Sequence, residues 1–231
     1  MSFDYKCFVP ESAMANPLVP RIFLYKPSTV STDDSYGDSI NDIIDDDYFI
    51  DQYSILKVGD IIRVFASGIL GGANLVITAC SSAGVTVDIL GSVIAYADID
   101  EVMAIGAHAT DLIVPDNALV TKCFYDVGTT FTDGADDSAT IALHLQGAGD
   151  LVAAIAISAG GDVFDAGVRG TLCGTPILGA DSAHDTAIEI AALMAASVIK
   201  MTAARTLTIT IADDDITAGA MRVYVEYVKG L

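Results

Sequence analysis

The C-terminal third of the chain carries the pattern that most restricts its fold, an alternation of apolar and polar residues. It occurs in Leu207–Ala212 (LTITIA) and again in Met221–Val228 (MRVYVEYV). A period of two is typical of strands with one buried and one solvated face. The polar segment Asp213–Gly219 between them predicts that the two strands are antiparallel neighbours. The side chains expected to face the core are Leu207, Ile209, Ile211, Val223, Val225 and Tyr227.

Shorter β-branched runs, separated by glycine and serine, extend the strand pattern over most of the chain. A strand at Leu112–Val114 enters a turn at Pro115–Asn117. Six further strands are predicted, namely Ile61–Ala66, Ala73–Ala79, Gly84–Leu90, Val93–Ala97, Leu119–Val127 and Ala139–Gln146.

Three segments favour other structures. Phe49, Tyr53 and Leu56 have helical spacing and predict a helix over Tyr48–Leu56. The alanine-rich segment Asp150–Ile157 predicts a short helix. A mixture of strand and loop is expected over Thr186–Ile199.

Residues 1–47 differ from the rest, because they combine four prolines with the polar, acidic run Ser28–Asp47. Proline at this density opposes helices and removes donors from sheets. The segment predicts an extended arm with a short strand at Arg21–Lys26. Few periodic core residues occur in it, so we expect its first 40 residues to be dispensable for folding and to lie across a neighbouring molecule. An ordinary irregular N-terminus is the alternative.

These patterns predict a mainly all-β protein with few short helices. Its expected parts are an extended N-terminal arm (1–47), a small β-barrel-like module (48–110) and a C-terminal antiparallel β-sandwich of jelly-roll type (111–231). The chain of 231 residues is long enough for such modules to bury a core.

Composition restricts the partners of the chain. Hydrophobic residues make up 52% of it and charged residues 18%, which excludes a disordered protein. The formal net charge is −20, so nucleic acid and anionic membranes would repel it. Neither an N-terminal signal peptide nor an apolar run of membrane-spanning length is evident. The four cysteines are widely spaced, which favours free thiols made in a reducing cytoplasm over a disulfide framework.

No residue pattern indicates catalysis. His108, His144 and His184 are isolated, and no nucleophile elbow or phosphate-binding loop occurs. Two acidic turns, one with Asp133, Asp136 and Asp137 and one at Asp213–Asp215, offer oxygen ligands for Ca²⁺ but match no calcium-loop pattern, so solvated turns are favoured. A glycosidase-type carboxylate pair stays open as a minor alternative, disfavoured by the absence of Trp. We therefore predict no enzyme, with no catalytic, cofactor-binding or metal-binding residues.

Longer stretches resemble virion proteins of tailed bacteriophages. Residues 21–64 (RIFLYKPSTVSTDD…DDDYFIDQYSILKVGDIIRV) resemble a strand, a polar linker, a YF segment and a VGD-x-I turn found there. Residues 118–128 (ALVTKCFYDVG) and 205–228, with ITAG and VYVEY, resemble phage β-sandwich modules. The resemblance implies a capsid decoration (cement) protein, a head fibre or a related minor virion protein, which are commonly trimeric.

The leading expectation is therefore a capsid-binding cement protein on the outer surface of the virion, made in the host cytoplasm and bound to the major capsid protein. A homotrimer is also expected because the apolar content is high for a chain this acidic. A head or tail fibre or spike module that contacts the host surface is the alternative. An enzyme such as a depolymerase would need carboxylates converging in a groove.

Overall fold

A computed structural model describes residues 8–10, 20–26, 38–45, 47–100, 102–134, 138–145, 151–157, 163–173 and 199–229. Strands dominate these residues, with one short helix, so the expected all-β class is confirmed. The chain divides into two compact units, Met1–Ile94 with Val228–Leu231, and Ala95–Tyr227. The three-part division at residues 47 and 110 stays a prediction.

One five-stranded sheet organises the first unit, in the order β1-β2-β3-β4-β5. Strands β2 and β3 are parallel, and the other neighbours are antiparallel. A short helix, α1 (Ile40–Ile43), begins at Ser39, whose hydroxyl accepts a hydrogen bond from the amide of Asp42 at 3.3 Å. The strands are β1 (Phe8–Pro10), β2 (Ile22–Tyr25), β3 (Ile61–Val64), β4 (Ala73–Ser81) and β5 (Gly84–Leu90).

The predicted helix over Tyr48–Leu56 is wrong. The structure has a single 3-10 turn there, Ile50–Gln52, flanked by further turns. Phe49 and Leu56 are buried as the spacing suggests, but Tyr53 is 44% exposed. The apolar spacing therefore marks core contacts made from irregular backbone rather than one helical face.

The N-terminal segment supplies core residues to the first unit. Strand β2 lies inside the sheet, and its Phe23 and Tyr25 are 4% and 0% exposed. The ring of Tyr25 meets those of Tyr48 and Phe49 edge to face at 5.9 and 5.5 Å. Burial and hydrogen bonds to Asp38 and Tyr25 raise the pKa of Tyr48, which keeps its phenol neutral. The expectation that this segment carries few core residues is therefore wrong, whereas the outcome of deleting the first 40 residues stays a prediction.

A buried ion pair joins β2 to the turn before β3. Asp60 is 3% exposed, and its Oδ1 accepts hydrogen bonds from the backbone amide of Arg21 at 3.0 Å and from its Nε at 3.3 Å. The Oδ2 of Asp60 accepts from Arg21 Nη2 at 2.5 Å and from the amide of Lys57 at 2.8 Å. One carboxylate thus fixes both the turn and the entry of β2 into the sheet.

The second unit contains two sheets. One is antiparallel throughout, with the order β10-β9-β13-β7, and the other has the order β11-β8-β14-β6 with β12 paired to β8. The part of β6 from Ala95 onward and the part of β14 up to Tyr227 belong to this unit. The strands are β6 (Ser92–Ile99), β7 (Gly106–Val114), β8 (Ala118–Asp133), β9 (Thr140–His144), β10 (Val152–Ala156), β11 (Arg169–Cys173), β12 (Ile199–Lys200), β13 (Arg205–Ala212) and β14 (Ile216–Lys229).

The two C-terminal strands bury the predicted residues but are not neighbours. Strand β13 lies between β9 and β7, whereas β14 lies between β8 and β6 in the other sheet, so the predicted antiparallel pair is wrong. All six predicted core residues of the two strands are at most 1% exposed. Alternation determines which residues are buried, and it carries no information about which strand supplies the hydrogen bonds.

The alanine-rich segment Asp150–Ile157 is also not the predicted helix. It forms β10, in which Val152 and Ile155 pair with Leu143 and Ile141 of β9. Pairing with β9 overrides the helical propensity of alanine. The segment predicted as mixed strand and loop lies outside the described residues up to Ile199, where β12 begins.

Gly219 allows β14 to pass close to the core of the second unit. Its φ is +150°, and an added Cβ would lie 2.5 Å from Cγ of Phe131, which is 3% exposed. The ring of Phe131 meets that of Phe164 edge to face at 5.9 Å, so it is held in place. Glycine is required here for both space and backbone conformation.

Candidate interaction surface

The acidic turns named from the sequence use their carboxylates to hold local backbone. Asp215 Oδ1 accepts from the amide of Ile105 at 2.7 Å, and Asp214 Oδ1 accepts from the amide of Asp215 at 2.8 Å. In the other turn, Asp133 Oδ2 accepts from the amide of Ala139 at 2.9 Å. Asp136 and Asp137 lie outside the described residues.

The two described histidines lie on different strands, His108 on β7 and His144 on β9. His108 Nε2 lies 2.7 Å from the carbonyl oxygen of Ala104, and the buried Nδ1 of His144 has no hydrogen-bond partner. His184 lies outside the described residues. Across the described ranges no three His, Cys, Asp or Glu side chains are grouped to hold a metal ion. Nor does that part of the chain include a helix long and apolar enough to cross a membrane. The expectation that the chain has no catalytic, cofactor or metal site stays a prediction.

A more organised surface covers the face of the sheet β8, β14 and β6 that points away from the core. Residues of β14 alternate along the strand between the buried core and this face, and β6 and β8 contribute in the same way. Arg169 of β11 adds a fourth strand, with Asp126 as its cross-strand partner. We call this surface the paired-charge face and define it by Tyr96, Asp98, Lys122, Phe124, Asp126, Arg169, Arg222, Tyr224 and Glu226.

Every charged residue of the paired-charge face forms an ion pair with a neighbouring strand. Two bonds join Arg222 to Asp98, from Nε to Oδ1 at 2.5 Å and from Nη2 to Oδ2 at 2.8 Å. These bonds raise the pKa of Arg222, which therefore stays charged. The other two pairs are Lys122 with Glu226 at 3.1 Å and Arg169 with Asp126 at 3.2 Å. The face has no net formal charge, although the chain carries −20.

Three aromatic rings lie among these ion pairs. Phe124 and Tyr224 are stacked, with centroids 4.6 Å apart and planes inclined by 15°. Tyr96 lies 6.4 Å from Tyr224, and the guanidinium of Arg222 is 4.6 Å from the centroid of the Tyr96 ring. Stacking and cation–π contacts hold the side chains in defined positions, so the surface is largely preorganised.

Sequence reasoning found one strand of this face and missed its neighbours. The alternation of Arg222, Tyr224 and Glu226 with buried residues assigned them to a solvated face. The same period occurs at Tyr96 and Asp98 in β6 and at Phe124 and Asp126 in β8. The missing information was the order of strands, which places β14 between β8 and β6.

Comparison with known proteins gives only distant similarity. No protein-family model matches the chain, and no curated protein sequence matches it. One similar solved structure is the acidic stable capsid of Helicobacter pylori bacteriophage KHP30, with 9% identity over 58% of this chain and 86% of that chain and a TM-score of 0.38. The cyanophage Pam1 capsid asymmetric unit has 16% identity over 59% of this chain and 84% of that chain, with a TM-score of 0.38. The capsid of Ralstonia phage GP4 has 16% identity over 60% of this chain and 85% of that chain, with a TM-score of 0.36. At these values the similarity assigns no function to the chain.

Proposed function

We propose that this chain is a structural protein of a tailed-phage virion. In this proposal it binds the major capsid protein as a homotrimer and stabilises the outer surface of the shell as a decoration (cement) protein. It works by binding rather than by catalysis, and it contacts neither nucleic acid nor membrane. It is made in the host cytoplasm before it joins the particle.

One observation carries the proposal. Within residues 21–64, the residues on which the virion resemblance rests are those that hold the first unit together. RIFLYK contains β2 and Arg21, the YF segment contributes the buried Phe49, and the VGD turn supplies Asp60, which binds Arg21. Residues far apart in the sequence pattern thus meet in one structural unit. This supports a shared module rather than a chance likeness between unconnected short motifs.

The charge of the chain fits a protein that acts on the outside of a shell. Nucleic acid packed inside a capsid would repel a protein with a net charge of −20. A rigid β scaffold loses little conformational entropy when it docks. Several copies in one oligomer also bind a regular lattice through many weak contacts at once. Both properties favour a protein that is added to many equivalent sites.

The decisive experiment is a count of copies on purified particles of the virus that encodes the chain. Quantitative mass spectrometry would compare this chain with the major capsid protein, and electron microscopy would show where the extra density lies. A decoration protein is expected at hundreds of copies per particle, spread over the shell.

Two other results would contradict this assignment. A few copies at a vertex or at the tail would replace the cement role with the fibre or spike role. Absence of the chain from washed, infectious particles would overturn the virion assignment itself.

A further inference from the structure

The paired-charge face differs from the rest of this acidic chain in charge. The chain has 31 Asp and Glu residues but only 11 Lys and Arg, so most of its surface repels a second copy. On this face three basic side chains are each bound to a carboxylate of an adjacent strand. A second copy that approaches this face therefore meets no net repulsion from it.

The composition of the face also fits a contact between proteins. Tyrosine, phenylalanine and arginine are the residues most enriched in interface cores and among residues that dominate binding energy. Here Phe124, Tyr224 and Tyr96 lie together, and Leu119 on the same strand as Phe124 is 39% exposed. Because these rings are already fixed by stacking, little side-chain entropy would be lost when they are covered.

The exposed charges provide complementarity between identical surfaces. The side chain of Arg169 is 77% exposed and that of Asp98 is 49% exposed, so both remain accessible beyond their own ion pairs. A face that carries both signs in alternation can place the arginine of one copy against a carboxylate of the next. Contact of this face with the same face of a second copy is a two-fold, isologous contact, and the alternating charges make the face self-complementary, as such a contact requires.

We propose that the paired-charge face is the surface through which copies of this chain associate. The inference rests on the part of the proposed function in which copies of the chain associate, and it assigns to this face a two-fold contact that is separate from the three-fold contacts of a trimer. It adds the location of the contact and a dependence on salt. Self-association should become stronger as salt is raised, because screening the repulsion between copies that each carry a net charge of −20 outweighs screening the few opposite charges of the face, and the stacked rings are unaffected.

The test is sedimentation velocity of the full-length chain over a range of concentrations, at about 0.05 M and about 0.5 M NaCl. Arg169→Glu places unpaired negative charge on the face and should weaken association at least about tenfold, because like charges then oppose each other across the contact. Arg205→Glu makes the same change in formal charge at an exposed residue at the start of β13, in the other sheet of the unit, and should retain wild-type association. Tyr224→Ala, which removes the central ring, should also weaken it. Thermal melting of each variant checks that it is folded.

Three results would overturn the inference. The first is a wild-type chain that stays monomeric up to tens of micromolar at high salt. The second is association that is unchanged in folded Arg169→Glu and Tyr224→Ala proteins. The third is equal weakening of association by Arg169→Glu and Arg205→Glu. The count of copies on particles is independent of these measurements. A virion protein whose copies associate through another surface would therefore be recognised as such.

Discussion

Replacing Asp60 tests whether the buried ion pair holds the N-terminal strands in the first unit. Its carboxylate accepts four hydrogen bonds, three from Arg21 and one from the amide of Lys57. Asp60→Ala removes all four acceptor contacts at once. The two backbone amides then lose their partner in a site where the carboxylate was only 3% exposed.

The expected loss can be worked out from these contacts. Leaving a buried donor without an acceptor costs about 1–3 kcal/mol, and breaking a buried ion pair costs about 3–5 kcal/mol. The side chain of Arg21 is 26% exposed, so water can solvate part of the guanidinium and the lower part of this range applies. We expect Asp60→Ala to lower the free energy of unfolding by about 3 kcal/mol. Asp60→Asn, which keeps one acceptor oxygen, should lose roughly half as much.

The assay is urea unfolding of the full-length chain. Far-UV circular dichroism would report the sheets, and near-UV circular dichroism would report the packing of the tyrosines in both units. Asp51→Ala is the matched control, because Asp51 is an exposed carboxylate of the 3-10 turn in the same unit, and it should change stability by less than about 0.5 kcal/mol. Equal, small losses for Asp60→Ala and Asp51→Ala would refute the assigned role of the ion pair.

Two further predictions concern the second unit, and both are read by thermal or urea unfolding. Gly219→Ala forces a Cβ into a buried ring at a positive φ and should cost about 3 kcal/mol, whereas Gly128→Ala, whose nearest neighbour would be 3.8 Å away, should be nearly neutral. Equal effects of the two would contradict the close approach. Val225→Asp puts a carboxylate at a position that is 0% exposed and should cost at least about 4 kcal/mol, against less than about 1 kcal/mol for Asp214→Ala in the acidic turn. A stable Val225→Asp protein would show that β14 is wrongly placed.

Sequence patterns predicted the positions of strands well because the relevant information is local. The predicted strand Gly84–Leu90 matches β5 at both ends, and Arg21–Lys26 contains β2. Short β-branched runs between glycines determine where a strand begins and ends. The period of two then determines which of its side chains are buried, as it does for Val225 and Ile209.

Strand neighbours could not be predicted in the same way, because pairing depends on residues distant in sequence. Strand β2 pairs with β3 in parallel, across a connection of 35 residues from Tyr25 to Ile61 that no turn motif signals. For the same reason, the prolines before and after β2 suggested an arm outside the core. The buried Tyr25 shows that a short strand between prolines can still be the interior strand of a sheet. The paired-charge face was missed because it exists only once three distant strands are placed side by side.

The acidic link between β13 and β14 shows why local patterns mislead most at a change of sheet. A hairpin and a connection between two sheets bury the same alternate residues, so alternation does not distinguish them. Here Asp213 has a φ of 72°, a conformation that aspartate tolerates better than most residues. The chain leaves the sheet that contains β13 at this residue. Asp215 accepts a hydrogen bond from the amide of Ile105. Reciprocal backbone hydrogen bonds of 3.0 and 2.8 Å also join Met103 and Ile216. These contacts fix the start of β14. The carboxylates therefore cluster at this link because they remain solvated while they satisfy backbone donors at a corner where no sheet neighbour can do so.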